Sequence, residues 1–489
     1  MSDVCLVLEG TYPYVRGGVS AWVHNIIKGM PEIKFSILSI MPKPKDTRIE
    51  RYELPNNVQS IINVYLHDFE FKPKLFPTKI KDLFEFFDLF YKGIDEVPKD
   101  KMEMFLLRLM KQRYQLDLSY AFSSRDFWNT VRASYDKTRT NISFLDFFWN
   151  YRFTFLPIMQ VLKANIPPAP VYHTISTGYA GVLASLAKIK FNSNMIITEH
   201  GIYTKERRIE IAQASWLYEV ESEFIKATPE LSFFKEWWIK YFNTMSKLAY
   251  SYADTITTLY SGNKESEILD GADAKKIDII PNGVNLNDFK EIVMQRKKGG
   301  QRKSIAYIGR IVPIKDVKTL IKACKIIVQQ VPDLKIFLIG PQEEESDYYQ
   351  ECSVLIRMMK LNDNIVFTGH VDVKKYYPMI DLIILTSISE AQPLVILEAN
   401  ACGIPVVATD VGSCRELLEG KNDEDRDIGP SGIVCKFYSP EETAVSIMKL
   451  LNDDELYEKM SQAGIKRIEK YYNEEDMILS YRNLYEHYI

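Results

Sequence analysis

Short apolar runs rich in β-branched residues alternate with amphipathic helical patterns along the C-terminal half of this 489-residue chain. The alternation predicts six strands, at Ser304–Ile308, Lys335–Ile339, Asn364–Thr368, Asp381–Thr386, Ile404–Thr409 and Gly432–Cys435. After the first run, apolar residues recur at helical spacing from Val317 to Val331. Strands that alternate with helices form parallel sheets covered on both faces, so we expect a doubly wound α/β domain.

The N-terminal half begins in the same way and is then interrupted. Strands are predicted at Val4–Leu8, Phe35–Ile40, Val171–His173, Met195–Glu199, Thr255–Leu259 and Ile277–Ile280, with a helix at Val19–Met30. Residues 66–155 are dense in Phe, Tyr, Leu and charged residues, which favours a helical insertion. The predicted fold class is therefore α/β, with two Rossmann-like domains facing across a cleft and a helical insertion in the first.

The predicted domains are residues 1–290 and 304–470, followed by a C-terminal helix at 471–489 that packs back on the first domain. The basic, glycine-containing stretch 290–303 is predicted to be the linker between them. Its cations could be solvated or could dock an acidic partner; they are Arg296, Lys297, Lys298, Arg302 and Lys303.

Composition excludes several classes of protein. Hydrophobic residues make up 46% of the chain, which excludes a disordered regulator, and 61 basic against 65 acidic residues do not favour nucleic-acid binding. The six cysteines form no C-x-x-C pair, so zinc-ribbon spacing is missing. No signal peptide or long apolar stretch is visible. We expect a cytoplasmic protein that partners could recruit to the inner face of the membrane.

Two elements at predicted strand ends of the first half could bind a ligand. Gly17 and Gly18 precede a helix, where a close backbone approach and free N–H groups would suit an anion, although a simple turn explains them equally well. The dinucleotide pattern G-x-G-x-x-G and the Walker A pattern do not occur there. His173 and His200 end two consecutive strands, and their proximity favours a function over a purely structural role.

In the second half, Arg310 and Lys315 follow the strand Ser304–Ile308, and Asp316 is the predicted N-cap of the next helix. Two cations at a strand end favour phosphate binding, and pairing with nearby carboxylates is the alternative. Glu390 precedes, and Glu398 lies within, a helix that is otherwise apolar nearly all round. A carboxylate there needs a partner, which could be a ligand hydroxyl or a backbone N–H.

These motifs together form a known pattern. The Glu390-x7-Glu398 spacing, the Gly403-x-Pro405 turn and the Gly309-Arg310 unit with Lys315 resemble retaining glycosyltransferases of the GT-B fold, family four. The segments LEGTYPYVRGGVSAWVHNII, YHTISTGYAG and TEHGIYTKER are similar, more narrowly, to the PelF-like glycosyltransferases of Pel exopolysaccharide biosynthesis.

The resemblance implies a role for each residue. Arg310 and Lys315 would hold the donor diphosphate, with the backbone near Leu394 and Val395. Glu398 would bind the ribose hydroxyls, while Glu390 and His173 would contact the transferred sugar. The remaining implied roles are closure of Gly17 and Gly18 over the donor and a place on the acceptor side for His200, Glu206 and Arg207.

The resemblance further implies UDP-glucose as donor, a growing polysaccharide as acceptor and subunits of a membrane polysaccharide synthase as partners. The family often has Gly-Phe or Gly-Leu after the first glutamate, whereas this chain has Ala391-Gln392, which bears on the identity of the sugar. No metal is expected, because fixed cations could stabilise the leaving phosphate instead.

Four alternatives remain open at this stage. A retaining glycosidase also uses two carboxylates, but it needs no nucleotide. A UDP-sugar 2-epimerase or a phosphorylase would share the fold. A degenerate nucleotide-sugar sensor or scaffold of a membrane synthase would bind the nucleotide without transfer.

Overall fold

The computed structural model describes residues 2–10, 12–15, 17–44, 50–68, 81–92, 98–112, 118–138, 142–213, 233–296 and 302–489. The chain divides into two compact units, one of residues 1–279 with 481–489 and one of residues 280–480. Each unit is built on its own parallel sheet, which confirms the predicted two-domain α/β fold class. Within the described ranges, no helix combines the length and the apolar character needed to cross a bilayer.

The first unit contains a seven-stranded parallel sheet in the order β3-β2-β1-β4-β5-β6-β7. Its strands are β1 Val4–Glu9, β2 Phe35–Met41, β3 Val58–Tyr65, β4 Val171–Thr174, β5 Asn194–Glu199, β6 Thr255–Thr258 and β7 Ile277–Ile279. Helices α1 Gly18–Gly29, α7 Tyr179–Phe191, α8 Tyr203–Gln213, α9 Phe233–Tyr252 and α10 Ser261–Leu269 accompany it. Strands β1, β2 and β4 are almost wholly buried, as expected when both faces of a sheet are covered.

Strand β3 is missing from the sequence prediction. It lies at the edge of the sheet, and its residues alternate irregularly between exposed and partly buried positions. An edge strand needs neither a continuous apolar run nor strict alternation, because only one of its sides pairs and much of its surface stays in water.

The insertion between β3 and β4 is helical, as the sequence predicts. Its described helices are α2 Lys81–Lys92, α3 Lys99–Gln112, α4 Leu118–Ser123, α5 Arg125–Thr138 and α6 Phe144–Lys163. Buried aromatic residues of this insertion join the same core as the sheet; among them are Phe86, Phe87, Phe122, Phe147, Tyr151 and Phe155. The aromatic richness of the segment is therefore explained by core packing.

The second unit contains a six-stranded parallel sheet in the order β10-β9-β8-β11-β12-β13. Its strands are β8 Ser304–Ile308, β9 Lys335–Ile339, β10 Ile365–Gly369, β11 Leu382–Leu385, β12 Val406–Thr409 and β13 Gly432–Cys435. Its helices are α11 Lys290–Gln295, α12 Val317–Val328, α13 Ser346–Met358, α14 Leu394–Ala401, α15 Cys414–Glu419, α16 Asp423–Arg426, α17 Pro440–Asn452, α18 Asp454–Tyr471 and the first part of α19 Glu474–Tyr488. All six strands were predicted, with boundaries within two residues.

The described residues of the stretch predicted to be a linker, 290–296 and 302–303, belong to the second unit. Arg296 is the reason, because its guanidinium donates hydrogen bonds to the carbonyls of Cys402 (2.8 Å) and Gly403 (2.5 Å) and to the hydroxyl of Tyr457 (2.6 Å). Arg302 likewise pairs with Asp454 and Lys303 with Asp333. These three cations stabilise the unit internally, whereas Lys297 and Lys298 lie outside the described residues.

The end of the chain, Tyr481–Ile489, belongs to the first unit. Tyr481 and Tyr485 are fully buried there, next to β4, β5 and β6. The Tyr481 hydroxyl lies 3.2 Å from Oγ1 of Thr198 and 3.1 Å from Oγ1 of Thr257. All six cysteines are free and buried, so they act as small core residues.

Candidate functional site

The carboxyl ends of β8 and β11 lie side by side in the second sheet. The chain runs outward from β8 through β9 to β10 and then returns to β11 on the other side of β8. Such a reversal leaves a crevice at the strand ends, which is where open α/β sheets bind ligands. The residues singled out in the sequence follow these two strands: Arg310 and Lys315 after β8, and Glu390 and Glu398 after β11.

Lys315 and Glu390 form an ion pair at this point. Nζ of Lys315 lies 2.5 Å from Oε1 of Glu390, and their side chains are only 19% and 10% exposed. The Ser387 hydroxyl donates to the same oxygen at 2.6 Å. Oε2 of Glu390 has no hydrogen bond within the described residues, so this carboxylate is held on one side and has an oxygen left for a ligand.

The two loops that carry this pair are tied to each other. The Thr386 hydroxyl donates to the carbonyl of Asp316 at 3.0 Å, and the N–H of Ile388 donates to the carbonyl of Ile314 at 2.9 Å. Asp316 is the N-cap of α12, as predicted, because its Oδ1 accepts a hydrogen bond from the N–H of Thr319. The ion pair is thus positioned by hydrogen bonds between the two loops that follow neighbouring strands.

Arg310 is more exposed than Lys315. Its guanidinium lies 2.9 Å from Oε2 of Glu344, and both side chains are about half exposed (55% and 50%). Exposed pairs of this kind contribute about 0–1 kcal/mol, so the guanidinium can exchange Glu344 for a phosphate at little cost. Its backbone is fixed, since the Tyr307 hydroxyl donates to the Arg310 carbonyl at 2.7 Å.

Gly412 packs closely against the backbone of the Glu390 loop. Its φ is +56°, and a Cβ at this position would lie 2.2 Å from the carbonyl oxygen of Glu390. The adjacent N–H of Ser413 donates to the Ala391 carbonyl at 2.8 Å. Only glycine allows the two loops to approach this closely.

We therefore expect Gly412→Ala to weaken the binding of a ligand at this crevice by about tenfold, because the Glu390 loop must move away from Lys315. The left-handed backbone alone costs about 1–2 kcal/mol of stability. Gly429→Ala is the matched control, since Gly429 also has positive φ (+90°) but a Cβ there would meet nothing within 4 Å. The affinity for the ligand and the melting temperature are measured for both variants. Equal losses of affinity in Gly412→Ala and Gly429→Ala would assign the effect to backbone strain alone.

Helix α14 begins at Leu394 and Val395, directly after Pro393, and no side chain caps its first N–H groups. Free N–H groups at a helix start favour an anion. One turn later, Oε2 of Glu398 accepts a hydrogen bond of 2.5 Å from the Tyr377 hydroxyl. Burial raises the pKa of Glu398, while this hydrogen bond lowers it.

The first sheet has its own reversal between β1 and β4. Glu9 ends β1 and accepts hydrogen bonds from the Ser176 hydroxyl (3.2 Å) and the Ala180 N–H (3.4 Å). Gly17 and Gly18 are exposed at the start of α1, and a Cβ at Gly17 would meet nothing within 4 Å. Among the described residues, no neighbour of position 17 requires a glycine.

The two predicted histidines have different surroundings. His173 is fully buried in β4, with Nδ1 2.6 Å from the Tyr485 hydroxyl and Nε2 2.7 Å from Oγ1 of Thr198. Burial lowers its pKa to about 3. Nε2 of His200, by contrast, is a buried atom with no hydrogen-bond partner among the described residues, and burial lowers the pKa of His200 to about 4. The ring of His200 lies against Trp22, with 4.7 Å between the ring centres.

The other residues predicted on the acceptor side lie on α8. Glu206 is exposed. Arg207 is half-buried, with NH1 2.8 Å from Oε2 of Glu210 and the guanidinium 5.3 Å from the ring centre of Tyr203. The positive charge of Arg207 also acts on Glu9, whose pKa is raised by burial and lowered by hydrogen bonds and by this charge.

A buried carboxylate that the sequence analysis did not single out holds the loop of His200. Glu199 accepts hydrogen bonds from the Tyr203 N–H (3.1 Å), from the Thr177 hydroxyl (3.3 Å) and from the Tyr250 hydroxyl. Burial, followed by the charge of Glu267, raises the pKa of Glu199 to about 8. Burial likewise raises the pKa of Glu267 to about 7, with Asp270 adding to the shift and Lys264 opposing it.

These raised pKa values predict a loss of stability at alkaline pH. The folded protein holds protons that the unfolded chain releases near pH 4.5, so the stabilisation is complete below that pH and is lost as the pH rises through 7 to 8. We expect Glu267→Gln to remove about 1–3 kcal/mol of that loss between pH 6 and pH 9, measured by urea unfolding. Glu265→Gln, on the exposed face of the same helix, should change nothing. An unchanged pH profile in Glu267→Gln would contradict this account.

Several candidate site residues were not predicted from the sequence. Glu9 carried a usable signal, since it is a charged residue that ends an apolar strand. Glu199 ends β5 and carried the same signal. Ser387 and Tyr377 gave none, because their roles depend on loop geometry or on a partner further along the chain. Among the described residues, no group of three or more His, Cys, Asp or Glu side chains is placed to hold a metal ion.

Two family models match the chain. Residues 2–275 match the model described as "Domain of unknown function (DUF3492)". Residues 288–467 match the model described as "Glycosyl transferases group 1". The second match contains Arg310, Lys315, Glu390, Gly412 and Glu398, so the strand-end cluster lies within it.

Curated relatives match mainly in one part of the chain. N-acetyl-alpha-D-glucosaminyl L-malate synthase of Bacillus anthracis is 28% identical over 202 residues, which are 40% of this chain and 50% of the relative. D-inositol 3-phosphate glycosyltransferase of Segniliparus rotundus is also 28% identical over 202 residues, 40% of this chain and 43% of the relative. The chain thus spans about half the length of these curated relatives.

Solved structures match over nearly the whole chain at low identity. Sucrose-phosphate synthase from Thermosynechococcus elongatus has a TM-score of 0.61 at 16% identity and covers 99% of this chain and 98% of its own. The Anabaena protein Alr3699/HepE in complex with UDP and glucose has a TM-score of 0.59 at 13% identity and covers 99% of both chains. These likenesses support the GT-B fold.

Proposed function

Because the chain belongs to the family described as "Domain of unknown function (DUF3492)" and carries a glycosyl transferases group 1 region at residues 288–467, we propose that it is a retaining glycosyltransferase that moves a hexose from a UDP-sugar to a saccharide. The observation that carries the proposal is the Lys315–Glu390 pair at the junction of β8 and β11. It combines a fixed cation, a carboxylate with a free oxygen and an uncapped helix start.

The transfer of a sugar from a nucleoside diphosphate requires such a cluster. When the bond between the anomeric carbon and the diphosphate oxygen breaks, negative charge develops on the phosphate and positive charge on the sugar. Lys315, Arg310 and the N–H groups of Leu394 and Val395 would stabilise the phosphate, which lowers the barrier without a resident metal. Glu390 would hold the sugar through its free oxygen.

Retention of configuration follows from attack on the face that the leaving group departs from. The acceptor oxygen forms its new bond to the anomeric carbon on that face, and its proton passes to the departing phosphate oxygen. In the first unit, His173 keeps the sugar contact that the resemblance implies, for which the ligand would replace Tyr485 or Thr198 at one ring nitrogen. His200 keeps its place on the acceptor side. Gly17, Gly18, Glu206 and Arg207 keep the roles that the resemblance implies.

The donor, the acceptor and the partners are the finer parts of the proposal. UDP-glucose is the proposed donor, which is supported by the resemblance to PelF-like proteins and by the Anabaena protein of the same fold, solved in complex with UDP-glucose. The proposed acceptor is a growing Pel-type exopolysaccharide or its precursor, made in the cytoplasm next to subunits of a membrane synthase.

The test is calorimetric titration of the purified protein with UDP, ADP and GDP in the presence of EDTA, followed by transfer assays with UDP-sugars. We expect micromolar affinity for UDP and at least tenfold weaker binding of ADP and GDP. Lack of binding to all three nucleotides would refute the proposal. UDP binding without any transfer, even with membranes and saccharide acceptors added, would favour a nucleotide-sugar sensor or scaffold.

A further inference from the structure

Tyr377 holds one half of the Glu398 carboxylate. Its hydroxyl donates to Oε2 of Glu398 at 2.5 Å, and its side chain is 1% exposed. Oε1 of Glu398 makes no hydrogen bond within the described part of the chain, and the residue is partly exposed. Glu398 is therefore fixed through one oxygen and open through the other.

Packing holds the ring of Tyr377 in place. Tyr377 is the first residue of a short 3-10 turn, Tyr377–Met379. Its ring packs edge-to-face with the ring of Phe289, with 6.2 Å between the ring centres. It belongs to a buried core cluster with Ile380 and Leu397. Burial and the charge of Glu398 raise the pKa of Tyr377 well above its usual value, so the phenol keeps its proton and acts as a donor.

A carboxylate that binds a sugar diol must present its free oxygen in a defined direction. Glu398 projects from α14, and the helix by itself allows several side-chain rotamers. We propose that Tyr377 is a positioning residue that selects the rotamer of Glu398 in which Oε1 can accept hydrogen bonds from the ribose hydroxyls of the nucleotide. This inference rests on the proposed function and adds a residue that sets the preference for a ribonucleotide.

The test compares UDP with 2′,3′-dideoxy-UDP, which lacks both hydroxyls. We expect the parent protein to prefer UDP strongly. In Tyr377→Phe the preference should shrink by about three- to tenfold, because one charge-assisted hydrogen bond that orients Glu398 is lost. The affinity for the dideoxy nucleotide and kcat at saturating donor should change less than about twofold.

Two controls separate positioning from a general structural effect. Tyr376→Phe makes the same chemical change one residue earlier, at a ring that contacts Phe337, and should leave the preference unchanged. In a Glu398→Ala background, Tyr377→Phe should have no further effect on the preference. A Tyr377→Phe protein that binds UDP but keeps the full preference would overturn the inference. Failure of the parent protein to bind UDP would instead refute the proposed function itself.

Discussion

Replacing Lys315 by alanine is expected to lower kcat by about 10²- to 10³-fold, the largest effect of any single change in this protein. Lys315 supplies the least exposed cation of the cluster and contacts Glu390 at 2.5 Å. Its loss removes a fixed positive charge from the place where the departing phosphate gains charge. The affinity for the UDP-sugar should fall less than kcat, because the ground state carries less charge at the bond that breaks.

The same change also affects stability, since both side chains of the pair are largely buried. Removing one partner leaves the Glu390 carboxylate unpaired and costs about 3 kcal/mol. The double variant Lys315→Met with Glu390→Gln separates the two effects, because neither of its side chains carries a charge. We expect it to recover most of the unfolding free energy, measured in urea, while transfer activity stays low.

Lys318→Ala is the matched control. Lys318 lies one turn further along the chain and pairs at 2.6 Å with Glu351, but both side chains are more exposed (35% and 60%). It should keep its transfer activity and lose about 1 kcal/mol of stability at most. If Lys315→Ala retained kcat and lost only stability, Lys315 would be a structural residue.

Glu398→Ala is expected to weaken UDP binding by about 10- to 100-fold, the second large effect. Hydrogen bonds from hydroxyls to a charged carboxylate contribute about 1.5–3 kcal/mol. Glu398 offers the unpaired oxygen needed for them, on the helix that begins at the proposed phosphate position. Isothermal titration of the variant with UDP measures the loss directly.

The dideoxy nucleotide provides the internal control for this variant. If Glu398 binds the ribose, its removal should hardly change the affinity for 2′,3′-dideoxy-UDP. Glu441→Ala removes an exposed glutamate near the start of α17 and should leave the binding of both nucleotides unchanged. An unchanged UDP affinity in Glu398→Ala would show that Glu398 does not bind the ribose.

Much of the proposed donor site could be predicted from the sequence. Strands β8, β9 and β13 coincide with their predicted ranges, and Asp316 caps α12 as expected. Such features depend on short-range periodicity and on the chemistry of single residues at helix starts, so they can be recognised without knowledge of the fold. Placing charged residues directly after buried strands then predicts that they share one edge of a parallel sheet.

The partners of these residues could not be predicted in the same way. His173 and His200 look alike as strand-end histidines, yet only the packing of Tyr485 and Thr198 against His173 shows that its ring is occupied. Likewise, Glu199 and Tyr250 are 51 residues apart in the chain, and Tyr377 and Glu398 are 21 residues apart, yet a hydrogen bond joins each pair.

The sequence by itself determined the α/β class, the succession of most strands and helices along the chain, and the charged residues that follow the strands. All of these follow from local patterns of residues. Only the tertiary structure decided which oxygen or nitrogen atoms are already satisfied. A hydrogen bond between distant segments leaves no periodic trace in the chain, and its existence depends on how closely the packed elements approach. That distinction separates Glu390 and Glu398, each of which has one carboxylate oxygen without a partner among the described residues, from His173, whose two ring nitrogens are both hydrogen-bonded.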